Sequence, residues 1–477
     1  MRRSLAILLT LCFFAALPVA PARAALVPMP SDGTILIPGH GWGHGRGMGQ
    51  WGAKGMAQAG KSYDDIVGHY YSDVQMGTRS TSETIRVLVE QSSDVVVTAD
   101  DTFTVVGSTG STLATSSDAY PFIRVKYDGS QYRYEKAASH AGPWSLIRTS
   151  GAYGIFQRGS RLLQLVFTTG GVRYYRGSII ARYSSSRGMM AINELLMQEY
   201  LYGVVPRESP ASWPAEALKS QSVAARTYSA YKKDYQRSKG YAFDICATTS
   251  CQVYGGYAYK TCMTCARQDL EYASTNKAID DTAGQTLLYD GKPILAEYSS
   301  STGGYTAQGN VPYQKAVPDS GDTVSPHHEW RATVSVADVQ NKWPQIGKLV
   351  EINITDRNGF GEWGGRVQRM ELVGTLDTIS ITGSAWRSAF QWPSRSNGVR
   401  STWFTALYWN GELVSAPSSI SIPAGETATL PVQVRNTGNV KWPVGGSVRI
   451  ATGSPSRFAG DSWISTTRAA SVARNVT

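Results

Sequence analysis

Three observations on this 477-residue chain predict an α+β fold that is β-rich before residue 184, helical around residue 208 and followed by a small all-β module. Between Ile85 and Tyr183, short runs such as IRVLVE, VVVTA, FTVVG, FIRVKY and QYRYE string together β-branched and aromatic residues, with Asp128-Gly129 and Gly170-Gly171 as tight-turn signals. The stretch from Tyr200 to Tyr228 reads as two helices joined by a proline-rich bend. Beyond residue 412 the composition changes to short alternating segments punctuated by Pro and Gly, as in an immunoglobulin-like sandwich.

In chain order, residues 1–24 read as a secretory leader: Arg2 and Arg3, an apolar run from Leu5 to Leu17, then Ala22-Arg23-Ala24 before a cut. The run is too short to span a bilayer comfortably, so a secreted protein of the cell wall or extracellular space is expected, touching membrane only transiently through the leader. Residues 25–78 hold a glycine-rich stretch in which every second residue from Gly39 to Gly49 is glycine. An extended chain of this kind puts His40, Trp42, His44, Arg46, Met48 and Gln50 on one side and bare backbone on the other, against which a second backbone or a sugar can lie. His40 and His44 are then about 13 Å apart, too far to share a metal unless the chain turns. Residues 79–183 form a strand meander with no evident chemistry. Residues 184–412 carry the helical segment, and residues 413–477 the immunoglobulin-like module, short for that fold and so expected to be incomplete.

Composition narrows the function classes only a little. The formal charge of +10 becomes +7 once Arg2, Arg3 and Arg23 leave with the leader, which favours anionic wall polymers or membrane surfaces. Nucleic acid is excluded as a partner by expected export and by the absence of a dense Lys/Arg block. Apart from Cys12 in the leader, the cysteines are Cys246, Cys251, Cys262 and Cys265. An even number in an exported chain favours disulfides, although the spacings also permit a four-thiolate zinc site or a redox pair.

The one candidate acid is Glu208. Asn193 is expected to cap a short helix carrying Leu195, Leu196 and Tyr200 and ending at Gly203. Ser212 is expected to cap a second helix running from Pro214 to about Tyr228. Glu208 lies between them, with Pro206 and Pro210 stiffening the backbone on either side. Further on, Asp290-Gly291 marks a hairpin, and Tyr298 leads into a Ser-rich loop, with His327, His328 and Trp330 soon after.

The pattern GVVPRESPASWPAEALKSQSVAARTY resembles the signature of the sporulation stage II protein D and amidase-enhancer (SpoIID/LytB) family. Similarity extends to the GHGWGHG and QWGA elements, to CQVYGG, to the Tyr-Ser segment at 298–301 and to GSAWRSAFQWPSRSNGVRSTWF, covering about His40 to Tyr408. The glycine element here precedes the catalytic segment, whereas in the family it usually follows it, so the arrangement looks permuted. The resemblance implies a SpoIID-like domain and a peptidoglycan lytic transglycosylase, with Glu208 as acid/base and Arg226 supporting it. It also implies sugar contacts from Trp42, His44, Gln50, Tyr298, Ser299 and Ser301. The alternative within the family is a non-catalytic amidase enhancer that binds wall glycan and stimulates a partner amidase. Some members bind zinc beside the CQVYGG cysteine through a preceding His; here that residue is Ser250, and neither a metal nor a cofactor is expected.

Overall fold

A computed structural model describes residues 27–159, 161–416, 432–442, 449–451 and 468–471. The expected leader lies outside them, and so does most of the expected immunoglobulin-like module. Of that module, Gly411–Ser415 pairs with Gln433–Asn436 and Arg449–Ala451 with Arg468–Ser471.

Two sheets of seven and eight strands form the β-rich part. In the first, Thr84–Ser92, Gly188–Leu196, Ser178–Ser184, Gly154–Gln157 and Thr104–Gly107 are successive antiparallel neighbours. In the second, Tyr132–Ala137, Phe122–Tyr127, Asp94–Thr98, Leu163–Val166 and Val172–Tyr175 follow one another in the same way. Alternating residues of both sheets, among them Val87, Val97, Val105, Ile123, Val125, Phe156, Leu165 and Ile179, meet in one buried core. The sheets extend past the boundary expected at residue 183, because Gly188–Leu196 lies between Thr84–Ser92 and Ser178–Ser184.

This overturns the reading of Asn193 as a helix cap. It lies mid-strand and fully buried, its amide donating to the Arg176 and Ser178 carbonyls and accepting the Tyr254 hydroxyl. Pairing along both edges outweighs the local helical spacing of Leu195 and Tyr200.

The helices are α1 (Gln50–Gln58), α2 (Tyr63–Tyr70), α3 (Met197–Tyr202), α4 (Val205–Glu208), α5 (Ala215–Ser238), α6 (Ala273–Asp281), α7 (Val336–Lys342) and α8 (Gly383–Phe390). Helix α3 ends at Gly203 as expected. Helix α5 is 24 residues long, ten past Tyr228, and no side chain caps its start; Pro214, not Ser212, occupies that place. It stops at the first left-handed glycine, Gly240 (φ 72°), where the Gly240 and Tyr241 amides bond the Arg237 and Gln236 carbonyls.

The small residues of α5 let α1, α2, α3 and α6 approach closely. Its buried hydroxyls on Ser220, Ser222, Thr227 and Ser229 each donate to the carbonyl four residues back, so close packing leaves none of them unpaired. A second core, around Ile35, Trp330, Leu372, Trp386 and Phe404, closes the other end of the molecule.

Candidate active site

Glu208 ends the single turn α4, with Pro206 in that turn and Pro210 just beyond. Its main-chain carbonyl accepts the Gln50 amide at 3.0 Å, and Gln50 also reaches Gln221 of α5 at 3.3 Å. Its carboxylate accepts the Val253 amide at 2.8 Å. Burial pushes the Glu208 carboxyl above its ordinary range; the Val253 amide and Gln50 pull it back only in part.

The loop that supplies Val253 is held on two sides. The Gln252 side chain is buried, its oxygen accepting the Tyr200 hydroxyl and sharing the one Ser229 proton with the Ala225 carbonyl, to which its amide donates. Cys246 and Cys251 form a disulfide that closes the loop's start. Cys262 and Cys265 form a second, so all four cysteines of the described residues are paired. Among the described residues no cluster of three metal-ligating side chains occurs.

The opposite wall is the glycine stretch, and it is not the extended ribbon expected. Gly41, Gly43, Gly45 and Gly47 all take left-handed φ values of 64° to 106°, so the chain curls and its even-numbered side chains separate. Met48 is buried in the main core, and His40 packs against Trp363 and Trp403. Trp42, His44, Arg46 and Gln50 line the cleft. Close backbone approach does hold: a methyl group on Gly41 would stand 2.7 Å from the Ser301 and Thr302 carbonyls. Met48–Gly49 runs parallel to Tyr298–Ser299, Trp42 bridges to Ser301, and Gly39–His40 pairs with Trp403–Phe404. These pairings carry the permuted segment to the cleft.

The cleft has a volume of about 580 Å³. The His44 Nδ1 accepts the Arg46 amide at 3.0 Å, which leaves the proton on Nε2. Burial and then the Arg46 charge hold this imidazole down to about 4, so it is neutral. Arg46 forms a two-pronged pair with Glu297 at 2.8 and 2.7 Å. Burial opposes the charge on Glu297, yet Arg46 keeps its carboxyl below the usual range.

Burial pushes the Tyr228 phenol up to about 12, with help from Glu297 and Glu208, and raises the Tyr298 phenol further, with Glu208 adding to the effect. The Ser299 hydroxyl makes no hydrogen bond within the described residues. Nor does the Tyr298 hydroxyl make a well-formed one, since the nearby Gln252 is committed to Tyr200, Ser229 and Ala225. Both hydroxyl groups are enclosed within the wall that Tyr298 and Ser299 contribute to the cleft.

Trp42, His44, Gln50, Tyr298 and Ser299 thus join Glu208 in one cleft, and two expected site residues do not. Ser301 is fully buried, its hydroxyl donating to Asp322 at 2.8 Å alongside the Gly303 amide and His328. It clamps the loop behind the cleft wall. Arg226 donates to the Gln285 and Ile279 carbonyls at 3.2 and 3.1 Å, tying α5 to α6 and the following strand. It sits five residues beyond Gln221, which turns it roughly 140° round the helix from the Glu208 side. Arg226→Met should therefore destabilise the fold by about 2–4 kcal/mol, measured by chemical denaturation, since it leaves buried carbonyls unsatisfied. Among the cleft residues not foreseen are Arg46, Tyr228, Ser250, Val253, Glu297 and Ser300. Only Arg46 carried a signal, its place in the same alternation as His44.

His327 packs edge-on against Trp42, and Trp330 donates to the Gly41 carbonyl, so both support the wall from behind.

The fold and site define an α+β protein with one raised carboxyl group set in an open, polar cleft. The chain carries a domain of the SpoIID family: residues 185–289 match the family described as Stage II sporulation protein. It is 30% identical over 244 residues to a Bacillus subtilis protein named Amidase enhancer, covering 48% of this chain and 31% of that one. It is 35% identical over 152 residues to an uncharacterized protein of Brachyspira hyodysenteriae, covering 32% of this chain and 38% of that one. It is 30% identical over 162 residues to Stage II sporulation protein D of Bacillus subtilis, covering 32% and 47%. The chain thus spans less than half the length of each of these relatives.

Proposed function

We propose that this is an exported protein that binds the glycan strands of peptidoglycan and cuts them as a lytic transglycosylase, with Glu208 as the single acid and base. The observation that carries the reading is the Glu208 carboxyl, raised by burial yet lining an open cleft together with Trp42, His44 and Gln50. Protonated Glu208 gives its proton to the glycosidic oxygen as that oxygen leaves the anomeric carbon. The muramic 6-hydroxyl then bonds that carbon and returns its proton to Glu208, so no water is consumed. During the anionic stage the Val253 amide steadies the carboxylate. Glu297, the other carboxylate of the cleft, is neutralised by Arg46, in keeping with a reaction that needs no second base. Export through the leader and the basic charge would bring the protein to an anionic wall.

Digestion of strands stripped of stem peptides tests this: 1,6-anhydromuramic ends identified by mass spectrometry are expected, and reducing ends carrying one more water would overturn the transglycosylase reading. The relative named Amidase enhancer favours a second reading, in which the cleft binds glycan and stimulates a partner amidase. That reading is supported if no strand is cut until an amidase is added.

The disulfide bears on the same chemistry. Cys246→Ser with Cys251→Ser frees the loop that holds the Val253 amide, so cleavage should fall about tenfold through loss of one charge-assisted hydrogen bond. Since that amide lowers the Glu208 value, its loss should also move the alkaline limb of the pH profile upward.

A further inference from the structure

We infer a second binding subsite just outside the cleft, formed by Trp51, Trp213 and Lys54, for a sugar ring that carries a carboxylate-bearing substituent; the inference rests on the glycan-binding reading above. Trp51 follows the cleft residue Gln50 in α1, and its amide bonds the carbonyl of Ser300, another cleft residue. Trp213 lies in the turn that leads from Glu208 to α5. The two indoles meet with ring centres 5.0 Å apart and planes 58° inclined, so they form an angled platform on the segments that follow Gln50 and Glu208 in the chain.

Both rings remain partly exposed. The Lys54 ammonium stands 4.4 Å from the centre of the Trp51 ring and 5.6 Å from that of Trp213. Among the described residues it makes no ion pair, unlike Lys219, Lys233, Lys277 and Lys315.

Packing alone accounts for two tryptophans in contact. One turn of α1 brings Lys54 over Trp51 and within reach of Trp213, and no carboxylate among the described residues pairs with it. Indole faces and N–H groups suit the apolar face and hydroxyls of a sugar, and the ammonium suits an acidic group projecting from that sugar. A ring seated there continues into the cleft at Gln50 and Glu208, so the subsite would set which bond meets the acid.

The test measures binding, not cleavage, in the Glu208→Gln protein, by calorimetry against two probes: strands bearing stem peptides and an uncharged chitin oligomer. Lys54→Gln should weaken binding of the peptide-bearing strands about threefold at low salt, lose that effect at high salt, and leave the chitin oligomer unaffected. Trp213→Ala should weaken both probes about tenfold. Lys54 is a partly exposed side chain whose replacement leaves the core intact, so its result stands even if Trp213→Ala folds poorly. Unchanged binding of peptide-bearing strands by Lys54→Gln overturns the carboxylate subsite while leaving the cleft reading in place. Failure of the Glu208→Gln parent to bind either probe overturns the glycan-binding reading, and the subsite with it.

Discussion

Glu208→Gln should lower glycan-strand turnover by about a thousandfold, the usual scale for removing a positioned general acid, while leaving the protein folded. Gln keeps the shape and still accepts the Val253 amide, so the cleft should survive; what goes is the transferable proton. Stability should move the other way. The folded state raises the Glu208 value, so the stability this group contributes is fully present below the ordinary carboxylate range and is lost as pH rises through the raised value. At neutral pH the Gln variant should therefore unfold no earlier than the parent. In the parent, cleavage should decline as pH climbs through that same raised value, because only the protonated carboxyl donates. A Glu208→Gln protein that loses stability at neutral pH along with its cleavage would mean that Glu208 is structural.

The other large effect is expected at Gly47. A methyl group there would stand 1.9 Å from the Glu297 carbonyl oxygen and 3.1 Å from the Tyr71 ring, at a backbone φ of 64°. The oxygen cannot move aside, since it accepts the Met48 amide at 3.1 Å and the Tyr71 hydroxyl at 2.7 Å. Left-handed strain and overlap together should make Gly47→Ala less stable by about 3 kcal/mol or more, read from chemical denaturation. Where the variant still folds, the displaced Glu297 should loosen its grip on Arg46 and weaken strand binding as well. A Gly47→Ala protein as stable as the parent would show that the glycine stretch is not pressed against its neighbour as described.

What could be read from the sequence was mostly local. The prolines beside Glu208 announced a stiff turn, Gly203 a helix end and Asp290-Gly291 a hairpin; in the structure both of the last two residues have left-handed φ. Alternation singled out Trp42, His44 and Gln50, and those residues do line the cleft. The same alternation was wrong about His40 and Met48, because four left-handed glycines rotate successive residues in a way no count of spacing reveals.

Distant pairings were silent. Nothing near Glu297 announces that it meets Arg46, 251 positions away. Arg226 was drawn to the acid by the pattern they share, whereas the helix turns its side chain toward α6. Asn193 was misplaced because strand pairing on both sides, which spacing within one segment cannot register, overrode a helical pattern.

The wall of the cleft is assembled from chain that lies far upstream of the acid, with Gln50 reaching Glu208 across 158 positions and Arg46 reaching Glu297 across 251. Contacts of such separation close late in folding. During synthesis the glycine stretch emerges first and must wait for both of its partners, so a half-made chain holds no finished groove. If the proposed strand cleavage holds, the activity would thereby stay switched off until the last of these segments had been made and had found its place.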